Sequence, residues 1–157
     1  MVLFLFKNWP SLYSTTILPI LTQEDIFIQE EGVPQGSVLS VTLFAIKINN
    51  ILKQLPPTVR GSLYVDDLQI SCHGKDMRYI ERQLQTAVNR LMNWSGKNGF
   101  NFSPDKTTCL HFCRLKNLHL DPEIFIGTNQ ITVSDCMRFL GVYFYKKLTF
   151  QPHISHL

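Results

Sequence analysis

Two adjacent carboxylates, Asp66 and Asp67, are the residues of this 157-residue chain with the most chemical promise. Side chains of this kind held about 5 Å apart repel by about 3 kcal/mol at an effective dielectric near 20. Both neighbouring segments, Ser62-Leu63-Tyr64-Val65 and Leu68-Gln69-Ile70-Ser71-Cys72, are rich in β-forming residues. Such a pair between apolar strands makes chemical sense where a divalent cation offsets the repulsion. Hard, oxygen-seeking Mg²⁺ suits one or two carboxylates plus substrate phosphates. The plainer alternative is a solvent-exposed turn, where Asp is common because its side chain bonds its own backbone.

The elements that must position the pair can be read around it. The two flanking runs predict a tight hairpin with the aspartates at its tip. Upstream, Gly32-Val33-Pro34-Gln35-Gly36 reads as a loop from its Gly and Pro content, and Ser37 as the N-cap of a helix running to about Gln54. Residues 38–46 are apolar almost all round, which predicts a buried helix, and Pro56-Pro57 ends the segment. Downstream, Ile80, Leu84, Ala87, Val88, Leu91 and Trp94 repeat with helical period over residues 78–94, and the helix stops within residues 96–99. Residues 107–113 read as a strand. Residues 124–126 and 130–133 read as a hairpin across Gly127-Thr128-Asn129, and residues 138–144 as a further strand.

Taken in order (loop, helix, hairpin, second helix, strand), four motifs resemble the palm of reverse transcriptases, most nearly those of non-LTR retrotransposons of the LINE or jockey kind. They are Gly32-Val-Pro-Gln-Gly-Ser37, Tyr64-Val-Asp-Asp67, the stretch from Gly99 through Lys106 to Thr107, and Phe139-Leu-Gly-Val142. The resemblance covers residues 25–157. It implies an α+β fold: an incomplete polymerase palm, the ferredoxin-like split βαβ arrangement lacking its first strand, with a small C-terminal β appendage. The implied organisation is a poorly defined segment over residues 1–24, a partial palm over 25–115, and a primer-grip-like region with the start of a thumb connection over 116–157.

The same resemblance implies RNA-directed DNA polymerase activity by two-metal nucleotidyl transfer. Asp66 and Asp67 would be the catalytic and metal-binding carboxylates for two Mg²⁺ ions, and Lys106 the lysine that neutralises or protonates the leaving pyrophosphate. Pro34, Gln35, Gly36, Ser37 and Tyr64 would meet the template and the incoming nucleotide; glycine allows close backbone approach and the helix start offers free N–H groups. Phe139, Leu140 and Gly141 would hold the primer end. The implied partners are an RNA template, a DNA primer and deoxynucleotide triphosphates.

Each residue has a plainer reading: a surface lysine at 106, a turn glycine at 36, core packing of a strand at 139–143. The sequence also departs from the family. It carries no counterpart of the third metal-binding aspartate of the first palm strand, and Asp25 stands only 11 residues before Gly36, in the wrong context for that role. Tyr145 and Phe150 stand where Asp and Trp are common. These departures lead to the expectation of a fragment. The alternative function is a catalytically inert remnant that at most binds nucleic acid weakly.

Composition narrows the rest. Apolar residues make up 45% and charged residues 17%, which excludes a disordered charged tail, while a net charge of +3 permits a polyanionic partner without requiring one. No apolar run approaches the ~20 residues that span a bilayer, so the expectation is an intracellular protein, nuclear or cytoplasmic, neither secreted nor membrane-bound. Four cysteines are too few for a disulfide framework. Cys109, His111 and Cys113 alternate on one strand with His119 near in sequence, a spacing unlike ordinary zinc sites, so core cysteines are expected. Arg78, Arg82, Arg90 and Lys97 read as a solvated helix face.

Overall fold

In the computed structural model the described residues are 2–6, 38–65, 67–113, 120–148 and 154. Their architecture is α+β. A five-stranded sheet has the order β2-β3-β1-β4-β7, built from β1 (Val2–Phe6), β2 (Val59–Tyr64), β3 (Asp67–Cys72), β4 (Thr108–His111) and β7 (Thr132–Ser134). Strand β1 runs antiparallel to both β3 and β4, while β4 and β7 are parallel. Two short hairpins complete the β structure: β5 (Phe125–Ile126) with β6 (Asn129–Gln130), and β8 (Cys136–Phe139) with β9 (Val142–Tyr145).

The first difference from expectation is at the centre of the sheet. The resemblance implies an arrangement lacking its first strand, yet β1 lies at the centre of this sheet, bonded to β3 on one side and β4 on the other. The physical reason is the demand of two interior edges for backbone partners, met by a short apolar stretch with high strand propensity. The sheet thus draws strands from residues 1–24, 25–115 and 116–157 alike.

Helix α2 (Met77–Asn98) covers one face of the sheet. Asp76 caps its start, its side chain accepting the Arg78 N–H at 3.0 Å. The helix ends within the predicted stretch, where Gly99 adopts φ 72 in the left-handed region. Phe100 N–H then donates to the Ser95 carbonyl at 2.9 Å, and the Phe100 ring stacks on Trp94 at 5.2 Å. The predicted stripe of Ile80, Leu84, Ala87, Val88, Leu91 and Trp94 is buried in the main core with Leu68, Ile70, Cys72 and Cys109 of the sheet. Gln85 locks the 120s loop to the helix: its amide donates to the Phe125 carbonyl at 3.0 Å and accepts the Phe125 N–H at 2.9 Å.

Helix α1 (Val38–Asn49), continued by a 3-10 segment (Asn50–Gln54), matches the predicted extent but not the predicted burial. Phe44, Ile48 and Ile51 pack into the core, while Leu39, Val41 and Ile46 are 68%, 73% and 63% exposed. Apolar composition states what a helix prefers, and the described elements cover only one stripe of this one.

The remaining strand predictions divide. Residues 124–126 and 129–130 pair as a hairpin, but the following residues leave it, and β7 joins the main sheet beside β4. The single strand predicted at 138–144 is instead the β8–β9 hairpin, because Leu140 (φ 46) and Gly141 (φ 84) form a two-residue turn with both φ values positive.

Candidate active site

The sequence Ser62 to Cys72 forms the predicted hairpin with a shifted tip. Tyr64 pairs with Asp67, which is the first residue of β3. Asp67 therefore lies in the strand ladder rather than at the tip, where it was expected. Alternation explains this: Leu68, Ile70 and Cys72 must all face the core, and that register brings Asp67 into the ladder. Asp67 shares the half-buried face with Gln69 and Ser71, opposite α2. Val65 has φ 53, a strained conformation for a β-branched residue, and is exposed, as is Tyr64 at 58%.

Sheet register then relates Asp67 to the second expected group. Gln69 lies opposite Leu5 of β1, and Leu5 opposite Thr108 of β4. Asp67 precedes this row by two residues on β3, and Lys106 precedes it by two residues in the turn that leads into β4; both strands run antiparallel to β1, so the two residues stand at the same end of the sheet. With strands about 4.8 Å apart, the two columns are separated by about 10 Å. Lys106 ends a 3-10 turn (Pro104–Lys106) and is exposed; Thr107 behind it is buried, its hydroxyl donating to the Ser103 carbonyl at 2.7 Å.

The third expected group arrives on the same face. Thr108 and Leu110 point away from Cys109, which lies in the α2 core; Leu110 and Phe112 instead pack with Met137, Phe139 and Phe144 of the β8–β9 hairpin. Phe139 is thus buried, whereas Leu140 is half exposed at the turn. Asp67, Lys106 and the 139–141 turn share one side of the sheet. Pro34, Gln35, Gly36, Ser37 and Asp66 lie outside the described residues. Gln69, on the Asp67 face, was not singled out from sequence, although the period-two pattern of 68, 70 and 72 points to it.

As a metal site, the described residues supply Asp67, a hard oxygen donor of the type Mg²⁺ prefers. Strand β1 contributes no carboxylate, its sequence being VLFLF. Among the described residues no group of three or more His, Cys, Asp or Glu side chains could hold a metal ion, and the Cys109, His111, Cys113 alternation is no exception. Cys109 is buried, and that burial pushes its thiol well above the ordinary range.

His111 has another role. Its Nδ1–H donates to Asp121 Oδ1 at 3.2 Å, and Lys146 Nζ donates to the same oxygen at 3.0 Å. Burial lowers the His111 pKa more than Asp121 raises it. Burial also works against ionisation of Asp121, but the bonds from Lys146 and His111 outweigh it and hold the carboxyl below its ordinary value. The cluster ties β4, the 120s loop and the end of β9 together. No helix among the described residues is long and apolar enough to cross a membrane.

Comparison with known proteins bears on this geometry. The family described as reverse transcriptase (RNA-dependent DNA polymerase) matches residues 4–144. A Pol polyprotein of the type-1 retrotransposable element R1 2 from Nasonia vitripennis is 25% identical over 131 residues, covering 78% of this chain and 31% of that protein. A putative 115 kDa protein of the element R1DM from Drosophila melanogaster is 29% identical over 128 residues, covering 80% of this chain and 12% of its own length. The RNA-directed DNA polymerase of the mobile element jockey from the same fly is 24% identical over 151 residues, covering 92% and 15%. The chain therefore spans less than a third of the length of each of these relatives.

Proposed function

Because the chain belongs to the reverse transcriptase (RNA-dependent DNA polymerase) family, we propose that it forms the palm portion of an RNA-directed DNA polymerase from a non-LTR retrotransposon. Asp66 and Asp67 are the carboxylates that would hold divalent metal, with two Mg²⁺ ions in the complete site. Such ions, when bound, activate the primer 3′-hydroxyl and offset charge on the nucleotide phosphates. Lys106 neutralises or protonates the pyrophosphate as it leaves, and the turn at Phe139, Leu140 and Gly141 holds the primer end. Pro34, Gln35, Gly36, Ser37 and Tyr64 meet the template and the incoming deoxynucleotide triphosphate. The reading assigns the palm to residues 25–115 and the primer-grip region to 116–157, in a protein that works inside the cell.

What supports this reading is the family match over residues 4–144, together with Asp67 and the hairpin that carries Phe139 lying on the sheet face opposite α2. Primer extension on an RNA template with Mg²⁺, comparing the chain with Asp66→Asn, tests it. Extension by the parent and none by the variant supports the assignment; equal extension by both removes it. One observation favours a second reading: central strand β1 brings no carboxylate. On that reading the chain alone binds nucleic acid weakly, with an affinity that falls as salt rises, and extends no primer.

A further inference from the structure

Helix α2 turns its apolar stripe to the sheet, and the side left to solvent carries Arg78, Arg82, Arg90 and Lys97, all exposed. At 3.6 residues per turn these cations fall within a sector about 120° wide on the far side of the helix from the core. The exposed amides of Asn89 and Asn93 lie in the same sector. The helix has a single carboxylate, Glu81, and it is turned aside to the 120s loop, where it accepts the Glu123 N–H at 3.1 Å. Asp76, just before the helix, is occupied in capping it. Among the described residues no ion pair includes any of these cations.

Such a row works against the helix that carries it. Arg78 stands at the helix start, where the dipole disfavours positive charge, and the first turn holds no acidic residue. Arg78 and Arg82 are like charges one turn apart, which weakens a helix further. The other end obeys the rule, with Lys97 in the last turn. A local rule broken without a compensating group inside the molecule points to a partner outside it.

The geometry narrows that partner. From Arg78 to Lys97 the row is about 28 Å long, close to the ~34 Å of one duplex turn. Arginine forks and asparagine amides are donors suited to phosphate oxygens. The Arg82 guanidinium is already held, 5.8 Å from the ring centre of Tyr79. A lipid surface fits less well, because the apolar stripe of α2 is committed to the core and is not available to insert.

We propose that the outer face of α2 binds the phosphate backbone of a nucleic-acid duplex. Asp67 lies on the opposite side of the sheet from α2. A duplex on the helix is therefore a second nucleic-acid segment, separate from the primer and template of the catalytic face. Taking nucleic acid as the polyanion rests on the polymerase reading above, but this binding needs no metal at Asp66 and Asp67.

Anisotropy of a fluorescein-labelled DNA duplex two turns long, titrated with the full chain in the absence of divalent metal, tests it. Arg82→Gln with Arg90→Gln should weaken binding about tenfold or more and lower the salt slope by about two. Arg60→Gln with Lys147→Gln removes the same charge from exposed positions elsewhere and should keep affinity within about twofold. Gln is a good helix former, so the α2 variant should keep its circular dichroism; if it does not, Arg78→Gln with Lys97→Gln takes its place with the same expectation. Asp66→Asn, which tests the polymerase reading, should leave this affinity within about twofold, so the two readings fail separately. Absence of duplex binding, equal weakening in the α2 and control doubles, or full affinity in a folded α2 double overturns the proposal. So does displacement of the duplex by poly-glutamate more readily than by unlabelled duplex, which would assign the face to an acidic protein segment.

Discussion

At the residue scale, Val65 is the position where conformation and chemistry meet. A β-branched side chain at φ 53 costs of order 1–3 kcal/mol, and it stands next to the carboxylate pair. Asn tolerates this backbone region far better. Val65→Asn should therefore stabilise the chain by about 1 kcal/mol in urea unfolding, while unchanged stability would mean that the turn stores no strain. The His111 cluster gives a pH effect of definite sign. Its folded-state pKa is lowered, so the unfolded chain binds the proton first as pH falls through about 6.5. Stability should then decline from there and level off below the folded pKa. Because the Asp121 bond favours the protonated ring, Asp121→Asn should move the His111 midpoint, followed by NMR, further down. A rise would reverse the assigned balance of burial and charge.

At the element scale, α2 and the sheet hold one another. Leu84 is fully buried between them, and Leu84→Ala should cost 2–5 kcal/mol in chemical denaturation; a cost below about 1 kcal/mol would show that the interface can close over the lost volume. This helix was the most legible element in the sequence, since six apolar positions repeated with helical period and all six are buried. Its end was legible too: the stop read at residues 96–99 contains Gly99, which takes the capping conformation. The hairpin before it was legible in its strands and not in its turn. The side on which Leu68, Ile70 and Cys72 must face decides the register, and only packing against α2 reveals that side. The exposed flank of α1 was illegible for a related reason, because hydrophobicity is local and cover is not. So was the turn at 140–141, where Leu140 gives no sign of a positive φ.

At the scale of the whole molecule, the five-stranded sheet is a platform with two unlike faces. One is closed by α2 over the main core. The other carries Asp67 and Gln69, then Lys106 and Thr108 across β1, with the β8–β9 hairpin packed further along. The central strand could not be read from sequence, since β1 pairs with residues more than sixty positions away and nothing local marks five apolar residues as an inner strand. The family motifs survived this difficulty because each is a short local signal. The common face of Asp67 and Thr108 is a product of the long-range register.

The central proposal is that Asp66 and Asp67 gather divalent metal. Mn²⁺, a paramagnetic substitute for Mg²⁺, tests it without requiring turnover. Titrated into the labelled chain, Mn²⁺ should broaden the backbone amide signals of Tyr64, Asp67 and Gln69 before those of α2, and the double variant Asp66→Asn, Asp67→Asn should abolish that selectivity. Broadening that is absent, or that persists unchanged in the double variant, would contradict it.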